Sequence, residues 1–499
     1  MSVLDFIDSD VFKPEYDNDV PLIQSPNIDG ICREVKYAIK NGEVILVYGD
    51  YDVDGMFSML VWKEVFALLR AKAPVLFEYR SKTHRIDKDL LEQARAVDAK
   101  LVIICDTGSS EEDRAMLNAL ATEGRTPIVI DHHVFEGDYN LWTKYYHIFN
   151  SYSESKALGG AEVSGAYACL LVAKVLCEKF MDSSLAFNAK VYALGSMYSD
   201  VVDMSSPVAR ALYSSVAVAN APGPDFLTAL NEWNYLYSRR FFSFIVAPKL
   251  NGCFRMERVE LLNRIVQCNE RWKYEKICEE LQQVHSEAKQ LIKGFVRMYS
   301  RTKVGEVMLC IHEANEETRA LNVRNFTGVV ATQIAQEEKC PVVCVVYDNH
   351  TYSGSYRDYY NRGLINLFSL FCECGGHPSA FGLEFSNLSE FKRHCLGMSE
   401  HLDVSVERPH IILNSGVIET EADLDALALY NEYANVKRSV VISHNCRSLV
   451  LKRSTKHSKY YDVGLPTQKP VMAKRTLLAG STILIEPALC RGVELREME

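Results

Sequence analysis

Val44-Ile-Leu-Val-Tyr48-Gly49-Asp50-Tyr51-Asp52-Val53-Asp54-Gly55 couples a short apolar run to a tight acid-rich turn, and a helix-length segment, Met56 to Arg70, follows. The pattern continues outward. Val75 to Tyr79, Leu101 to Cys105 and Pro127 to Ile130 are further apolar runs, separated by the amphipathic segments Asp87 to Val97 and Glu111 to Ala121. Short buried runs alternating with helices predict βαβ units and a parallel sheet covered on both faces. Ligands of such sheets bind beyond the carboxyl ends of the strands. Three of the four runs are followed at once by acids or histidines: Asp50, Asp52 and Asp54; Cys105-Asp106-Thr107-Gly108; and Asp131-His132-His133. These side chains should therefore meet at one sheet edge.

Three carboxylates at alternate positions of one turn repel each other unless a cation lies among them. An oxygen-rich set with one or two imidazoles suits Mn²⁺ or Mg²⁺ better than a thiolate-seeking metal. Two such ions ~3.5 to 4 Å apart can clamp the attacking and leaving oxygens of a phosphoryl displacement. The expected chemistry is hydrolysis by water, since no Ser or Cys nucleophile with an adjacent base is visible. Phosphate loops of the Gly-x-x-x-x-Gly-Lys-Ser/Thr kind, His-Glu-x-x-His helices and Gly-x-Ser-x-Gly elbows are absent from the sequence, which argues against ATP-driven translocation and serine hydrolysis.

These clusters resemble the DHH phosphoesterases. Ala193-Leu-Gly-Ser-Met-Tyr-Ser-Asp200 is similar to that family's fourth motif, and Cys374-Gly375-Gly376-His377-Pro378-Ser379-Ala380-Phe381-Gly382 to the glycine-histidine motif of the DHH-associated domain. Gly-Asp-Tyr-Asp-x-Asp-Gly has the form found in RecJ-type single-strand exonucleases. Ala247-Pro248-Lys249-Leu250-Asn251-Gly-Cys-Phe-Arg255 resembles a RecJ segment, with Lys249 in place of the usual Arg. The resemblance implies a 5′ to 3′ exonuclease on single-stranded DNA with two Mn²⁺ or Mg²⁺ ions. Asp50 would hold the first ion and Asp106 would bridge both. Asp52, His132 and Asp200 would complete the second, His133 would face the scissile phosphate, and Asp54 and Asp131 would orient the ligands. Substrate would be held by Gly375, Gly376 and His377, by Ser355 and Arg357, by Asn251 and Arg255, and by the basic residues Arg80 and Arg85 after the second strand. Two other readings are weighed: a phosphodiesterase for short oligoribonucleotides or cyclic dinucleotides, and a catalytically inactive nucleic-acid-binding replication factor.

With 499 residues, 48% hydrophobic and 24% charged, the chain is globular and long enough for several cores, and 26 Gly with 15 Pro exclude a low-complexity chain. The expected organisation is α/β throughout its main body. A parallel-sheet DHH domain with a helical part spans 1–267, a long connecting helix 268–302, a second α/β (DHH-associated) domain 303–403, and a small strand-rich, β-barrel-like domain 404–499, an OB-fold being one such form. The connecting helix is read from apolar residues at Ile277, Leu281, Val284, Ala288, Leu291, Ile292 and Phe295.

A net charge of −10 opposes non-specific coating of nucleic acid by the whole field, yet Lys437 to Arg475 alone carries +9, leaving −19 elsewhere. Lys452, Arg453, Lys456, Lys459, Lys474 and Arg475 in that island are expected to contact the phosphates of a single strand, DNA in preference to RNA. The 15 scattered cysteines, without a CxxC pair, read as reduced thiols, Cys372 and Cys374 as core or loop residues. An opening Met-Ser-Val-Leu-Asp without a basic, then apolar, leader, and no run of the ~18 apolar residues a membrane span needs, give a cytoplasmic expectation without membrane partners.

Overall fold

Five short strands, β1 (Ile45–Gly49), β2 (Val75–Leu76), β3 (Leu101–Cys105), β4 (Thr126–Asp131) and β5 (His147–Asn150), form a parallel sheet of order β2-β1-β3-β4-β5 in the computed structural model. The structure describes residues 19–398 except 72–74, 80–84, 205, 218, 220, 231–236, 360–362 and 378–379, and the C-terminal segment mainly through its strands between 411 and 497. β1 and β3 are buried at every position, as continuous Val, Ile and Leu runs require when helices cover both faces. The fifth strand escaped the sequence reading because it is only 4 residues long and begins on a polar His147. The chain runs from β1 outward to β2 and then back across to β3. The crevice between β1 and β3 is therefore the switch point of the sheet.

The helices α1 (Pro26–Asn41), α2 (Val53–Leu68), α3 (Lys88–Ala96) and α4 (Asp113–Thr122) connect or flank these strands. Ser25 caps α1 through the amides of Asn27 and Ile28, and Gly42 ends it in the left-handed region at φ 66°. α2 has 12 of its 16 residues buried, so it is a core helix rather than an amphipathic surface one. It packs against α5 (Gly165–Val175) and α6 (Phe187–Ser199). Every residue of α5 is buried, including Lys174, whose ammonium is satisfied by Asp19 at 2.6 Å and Glu178 at 2.7 Å.

Among the helices that follow are α7 (Ala247–Arg255), α8 (Val259–Gln267) and the long α9 (Arg271–Met298). The chain forms two compact units, 1–251 with 259–279 and 410–499, and 252–258 with 280–409. The division falls inside α9 rather than at its ends. After α9 the chain turns at once into β6 (Ser300–Val304) of the second unit, whereas the expected connecting helix ran on to 302.

The second unit holds a mixed sheet of order β10-β11-β9-β8-β7-β6, with β7 (Val307–Glu313), β8 (Val342–Asp348), β9 (Thr351–Arg357), β10 (Glu373–His377) and β11 (Ala380–Phe385). Only β7 and β8 are parallel; the other neighbours are antiparallel. One face buries α10 (Thr327–Glu338) through Val330, Ala331 and Ile334, and the other buries Phe368, Phe381 and Phe391. Gly354 is required on β9: a Cβ there would lie 1.9 Å from the Cys344 carbonyl oxygen.

Among its described residues the C-terminal segment has seven strands, β12 (Ile411–Asn414), β13 (Val440–Asn445), β14 (Val450–Ser454), β15 (Lys459–Asp462), β16 (Val471–Ala473), β17 (Thr482–Leu489) and β18 (Val493–Glu497). Their order is β12-β13-β17-β18-β16-β15-β14. Lys452 and Arg453 lie on β14 and Lys459 on β15; Lys456, Lys474 and Arg475 lie outside the described residues. No helix among the described residues is long and apolar enough to cross a membrane.

Candidate metal centre

The loop after β1 is built by its two glycines. A Cβ on Gly49 would sit 2.0 Å from the Gly55 carbonyl oxygen, and one on Gly55 would sit 2.3 Å from the Asp50 amide. Only glycine lets the turn fold back so tightly. Asp50 follows the strand directly, its amide donating to the Cys105 carbonyl at 3.3 Å, which ties the ends of β1 and β3 together. Asp52 is the N-cap of α2 and accepts from the Gly55 amide at 2.9 Å. Tyr79 supports the loop from below, donating its hydroxyl to the Asp50 carbonyl at 2.8 Å. Asn263 of α8 holds Tyr79 in turn through both backbone groups, at 2.9 and 2.8 Å.

Asp106 stands at the end of β3 in the left-handed region, φ 63°, a conformation Asp tolerates better than most residues. It is 1% exposed, and neither carboxylate oxygen receives a hydrogen bond among the described residues; His132 Nε2 lies 3.1 Å from Oδ1. Burial first, and then the charges of Asp54, Asp52, Asp50 and Asp131, push its carboxyl well above the usual range. A buried carboxylate left without donors is costly to hold by itself. The set of acids and imidazoles around it fits a hard divalent cation. Ligand atoms of Asp50, Asp52 and Asp106 lie within 4.8 Å of one another, as do those of Asp54, His132 and Asp200, and those of Asp106, Asp131, His132 and His133.

Asp54 has a different employment from its neighbours. Its Oδ2 accepts from the Gly165 amide and its Oδ1 from the Ala166 amide, both at 2.7 Å, so it anchors the N-terminus of α5, and Ser196 of α6 donates its hydroxyl to Oδ1. Burial raises the Asp54 carboxyl to about 6, against the opposing pull of His132. Asp131 accepts from the amide of His132 at 2.7 Å and from His133 Nδ1 at 2.8 Å. Burial works to raise its carboxyl, but the charge and hydrogen bond of His133 hold it well below the usual range. His133, 47% exposed, is lifted to about 10: burial opposes the shift, and the charge of Asp131, with Asp200 and Asp50 behind it, outweighs it. Asp200 ends α6, with its Oδ2 3.9 Å from His132 Nδ1.

Several supporting residues were not singled out from sequence: Ser196, Gly165, Tyr79, Asn263 and Asn150. Asn150, on the overlooked β5, donates to Ser109 Oγ and to the His133 carbonyl, both at 2.9 Å, and so fixes the turn that carries the two histidines. Ser196 lies inside a motif that was quoted for its terminal Asp200; its signal is a small hydroxyl one turn before that acid. Gly165 has a sharper role. A Cβ there would stand 2.5 Å from Asp106 Oδ1 and 2.7 Å from its Cγ. Gly165→Ala is expected to displace Asp106 and cut hydrolysis by roughly 10- to 100-fold, as misplacement of reacting groups does. Steady-state kinetics of a variant with unchanged circular dichroism measure it, and wild-type turnover would refute the packing argument.

Of the predicted substrate residues, Ser355 and Arg357 gather on β9 beside the start of α10. Ser355 Oγ is 2.9 Å from Thr327 Oγ1, and a Cβ on Gly328 would meet Arg357 Nη2 at 2.6 Å. Arg255 is in the same unit; burial and then the charge of Arg357 lower its guanidinium to about 10. Two guanidinium groups that repel each other near the start of a helix can attract an anion. Asn251 is half-buried on α7, four residues before Arg255. Gly375, Gly376 and the His377 backbone form the edge strand β10; Gly376 has φ 124°, and the His377 side chain lies outside the described residues. Arg80 also lies outside them, and Arg85 is paired with Glu112 at the surface.

A parallel sheet with its acids at the switch point and a second unit carrying a glycine-rich edge strand are the fold expected of a DHH-type protein. Residues 44–196 match the DHH family, N-terminal domain, and the chain as a whole resembles proteins of RecJ type. It is 24% identical over 397 residues to YorK of Bacillus subtilis (strain 168), a prophage-derived protein named as a single-strand DNA-specific exonuclease, over 71% of this chain and 65% of that one. To the single-stranded-DNA-specific exonuclease RecJ of the same organism it is 23% identical, over 70% of this chain and 44% of that one. The chain therefore spans 65% and 44% of the length of these two curated relatives. Among solved structures, RecJ from Thermus thermophilus in complex with Mn²⁺ superimposes with a TM-score of 0.72 at 17% identity, over 97% of this chain and 73% of that one.

Proposed function

We propose that the chain is a metal-dependent 5′ to 3′ exonuclease on single-stranded DNA that releases 5′-phosphorylated nucleotides in the cytoplasm. The observation that carries this reading is Asp106, a buried carboxylate without donors among the described residues, grouped with five further acids and two histidines. Asp50 would hold one ion, Asp52, His132 and Asp200 the other, and Asp106 both. When bound, Mn²⁺ or Mg²⁺ supplies a lowered pKa for water and neutralises charge on the phosphate. Asp54 and Asp131 orient, the first by locking α5 and α6 against the loop, the second by fixing the Asp-His-His turn. His133, half-exposed beside these ligands, would face the scissile phosphate.

Ser355, Arg357 and Arg255, with the α10 N-terminus, would receive a terminal 5′-phosphate, while Asn251, Gly375, Gly376 and His377 contact the strand that follows. The basic C-terminal strip favours long strands over dinucleotides, and the relatives' names favour DNA. Purified protein with Mn²⁺ should degrade 5′-labelled single-stranded DNA from its 5′ end and degrade single-stranded RNA and dinucleotides more slowly. A preference for dinucleotides would install the oligoribonucleotide reading, and inactivity with intact DNA binding would install the binding-module reading.

Metal binding has a readout free of turnover. A ligand that binds only the native state at 100 times its dissociation constant stabilises it by about 2.7 kcal/mol. Mn²⁺ is therefore expected to raise the melting temperature by several degrees, and EDTA to reverse the rise. An unchanged melting curve across millimolar Mn²⁺ would remove the metal assignment.

A further inference from the structure

Cys372 and Cys374 stand apart from the other thiols. Their sulfurs are 3.4 Å apart, and both residues are half-buried, at the start of the edge strand β10. Two other cysteine pairs are neighbours, Cys105 with Cys169 and Cys310 with Cys344, but all four are buried. Proximity and access coincide, among the described residues, at Cys372 and Cys374 alone. Cys372 Sγ also lies 3.1 Å from the Phe368 carbonyl oxygen, which anchors it to the turn before β10.

We propose that Cys372 and Cys374 are a modification site: a dithiol that peroxide closes into a disulfide, disturbing the start of β10. Cys374 is the attacking sulfur: Cys372 directs its single S–H at the Phe368 carbonyl and so stays a thiol, whereas contact with Cys372 and Ser369 holds the Cys374 thiol below its ordinary value against the opposing effect of burial. Its sulfur attacks one peroxide oxygen; the O–O bond breaks, a sulfenic acid forms and one water leaves. The Cys372 sulfur then displaces the second oxygen as water, forming the S–S bond. Both thiols are oxidised by one electron each and one peroxide is reduced to two waters. To reach bonding distance Cys372 must leave the Phe368 carbonyl and draw Glu373 with it. Gly375 and Gly376 follow immediately, and as edge-strand glycines they offer little resistance to a change of path.

The test exposes the reduced full chain to hydrogen peroxide, alkylates it and maps the cysteines by mass. The peptide bearing Cys372 and Cys374 should lose two hydrogens and both alkylation sites, and dithiothreitol should restore them. Cys310 and Cys344 should remain thiols. Cys374→Ser should slow oxidation of Cys372 at least tenfold, and amide exchange across β10 should rise at least threefold in the oxidised wild type. Persistent alkylation of both cysteines, or passage to sulfonic acid without a disulfide, would overturn the site; unchanged exchange in β10 would overturn its coupling to the strand. Every readout is independent of hydrolysis, so the thiol chemistry and the proposed nuclease function fail or stand separately.

Discussion

Asp106→Asn should lower hydrolysis by roughly a thousandfold, about 4 kcal/mol of transition-state stabilisation, while leaving the metal-free protein as stable as the wild type or more so. The two halves of this expectation have one cause. In the metal-free fold Asp106 is buried, accepts no hydrogen bond among the described residues, and faces the charges of Asp54, Asp52, Asp50 and Asp131. Neutralising it removes that repulsion, just as it removes the ligand that two cations would share. Asn is the better probe than Ala because φ at this position is 63°, which Asn adopts readily and Ala does not. The Mn²⁺-dependent rise in melting temperature should shrink with the activity. A variant that keeps more than a tenth of wild-type turnover would end the bridging role, and a fall of the metal-free melting temperature by several degrees would show that Asp106 stabilises the fold.

The parts of this site that were legible in sequence are those where one local pattern decides both the element and the position of the side chain. A wholly apolar run followed by an acid fixes the strand, its end and the edge to which Asp50, Asp106 and Asp131 belong. The supports were harder to read, since their contacts join distant segments. Asp54 reaches the amides of Gly165 and Ala166, 111 and 112 positions away, and Tyr79 meets Asn263 across 184. Nothing local in Ser164-Gly165 distinguishes a helix start that must graze Asp106 from any other. β5 was missed for a related reason: four residues carry too little alternation to be distinguished from a loop, and pairing with β4 is what makes them a strand. The period of its apolar residues located α9, but whether Gly375-Gly376 forms a turn or a strand depends on its partner β11, to which a double glycine gives no local clue.

Arg357→Ala should erase a preference for 5′-phosphorylated over 5′-hydroxyl strands, weakening the phosphorylated one by roughly 10- to 100-fold and the hydroxyl-ended one little, on the scale of hydrogen bonds to a charged group, about 1.5 to 3 kcal/mol. The geometry makes this variant informative. Arg357 Nη1 donates to the Tyr356 carbonyl at 2.6 Å, so the guanidinium is oriented by its own strand, and no acid pairs with it among the described residues. Burial already depresses its ionisation, and its charge adds to the burden on Arg255. Removing one of two repelling cations should leave the melting temperature unchanged or raised, which separates loss of binding from loss of fold. Arg357→Lys should recover only part of the preference, because a point charge cannot reproduce a planar two-pronged contact with phosphate oxygens. The effect should fall on KM more than on kcat, since Arg357 belongs to a different unit of the chain from the carboxylates. Equal losses on both kinds of 5′ end would mean that Arg357 holds the strand's backbone rather than its terminus, and a collapse of kcat with KM unchanged would move it into the chemistry itself.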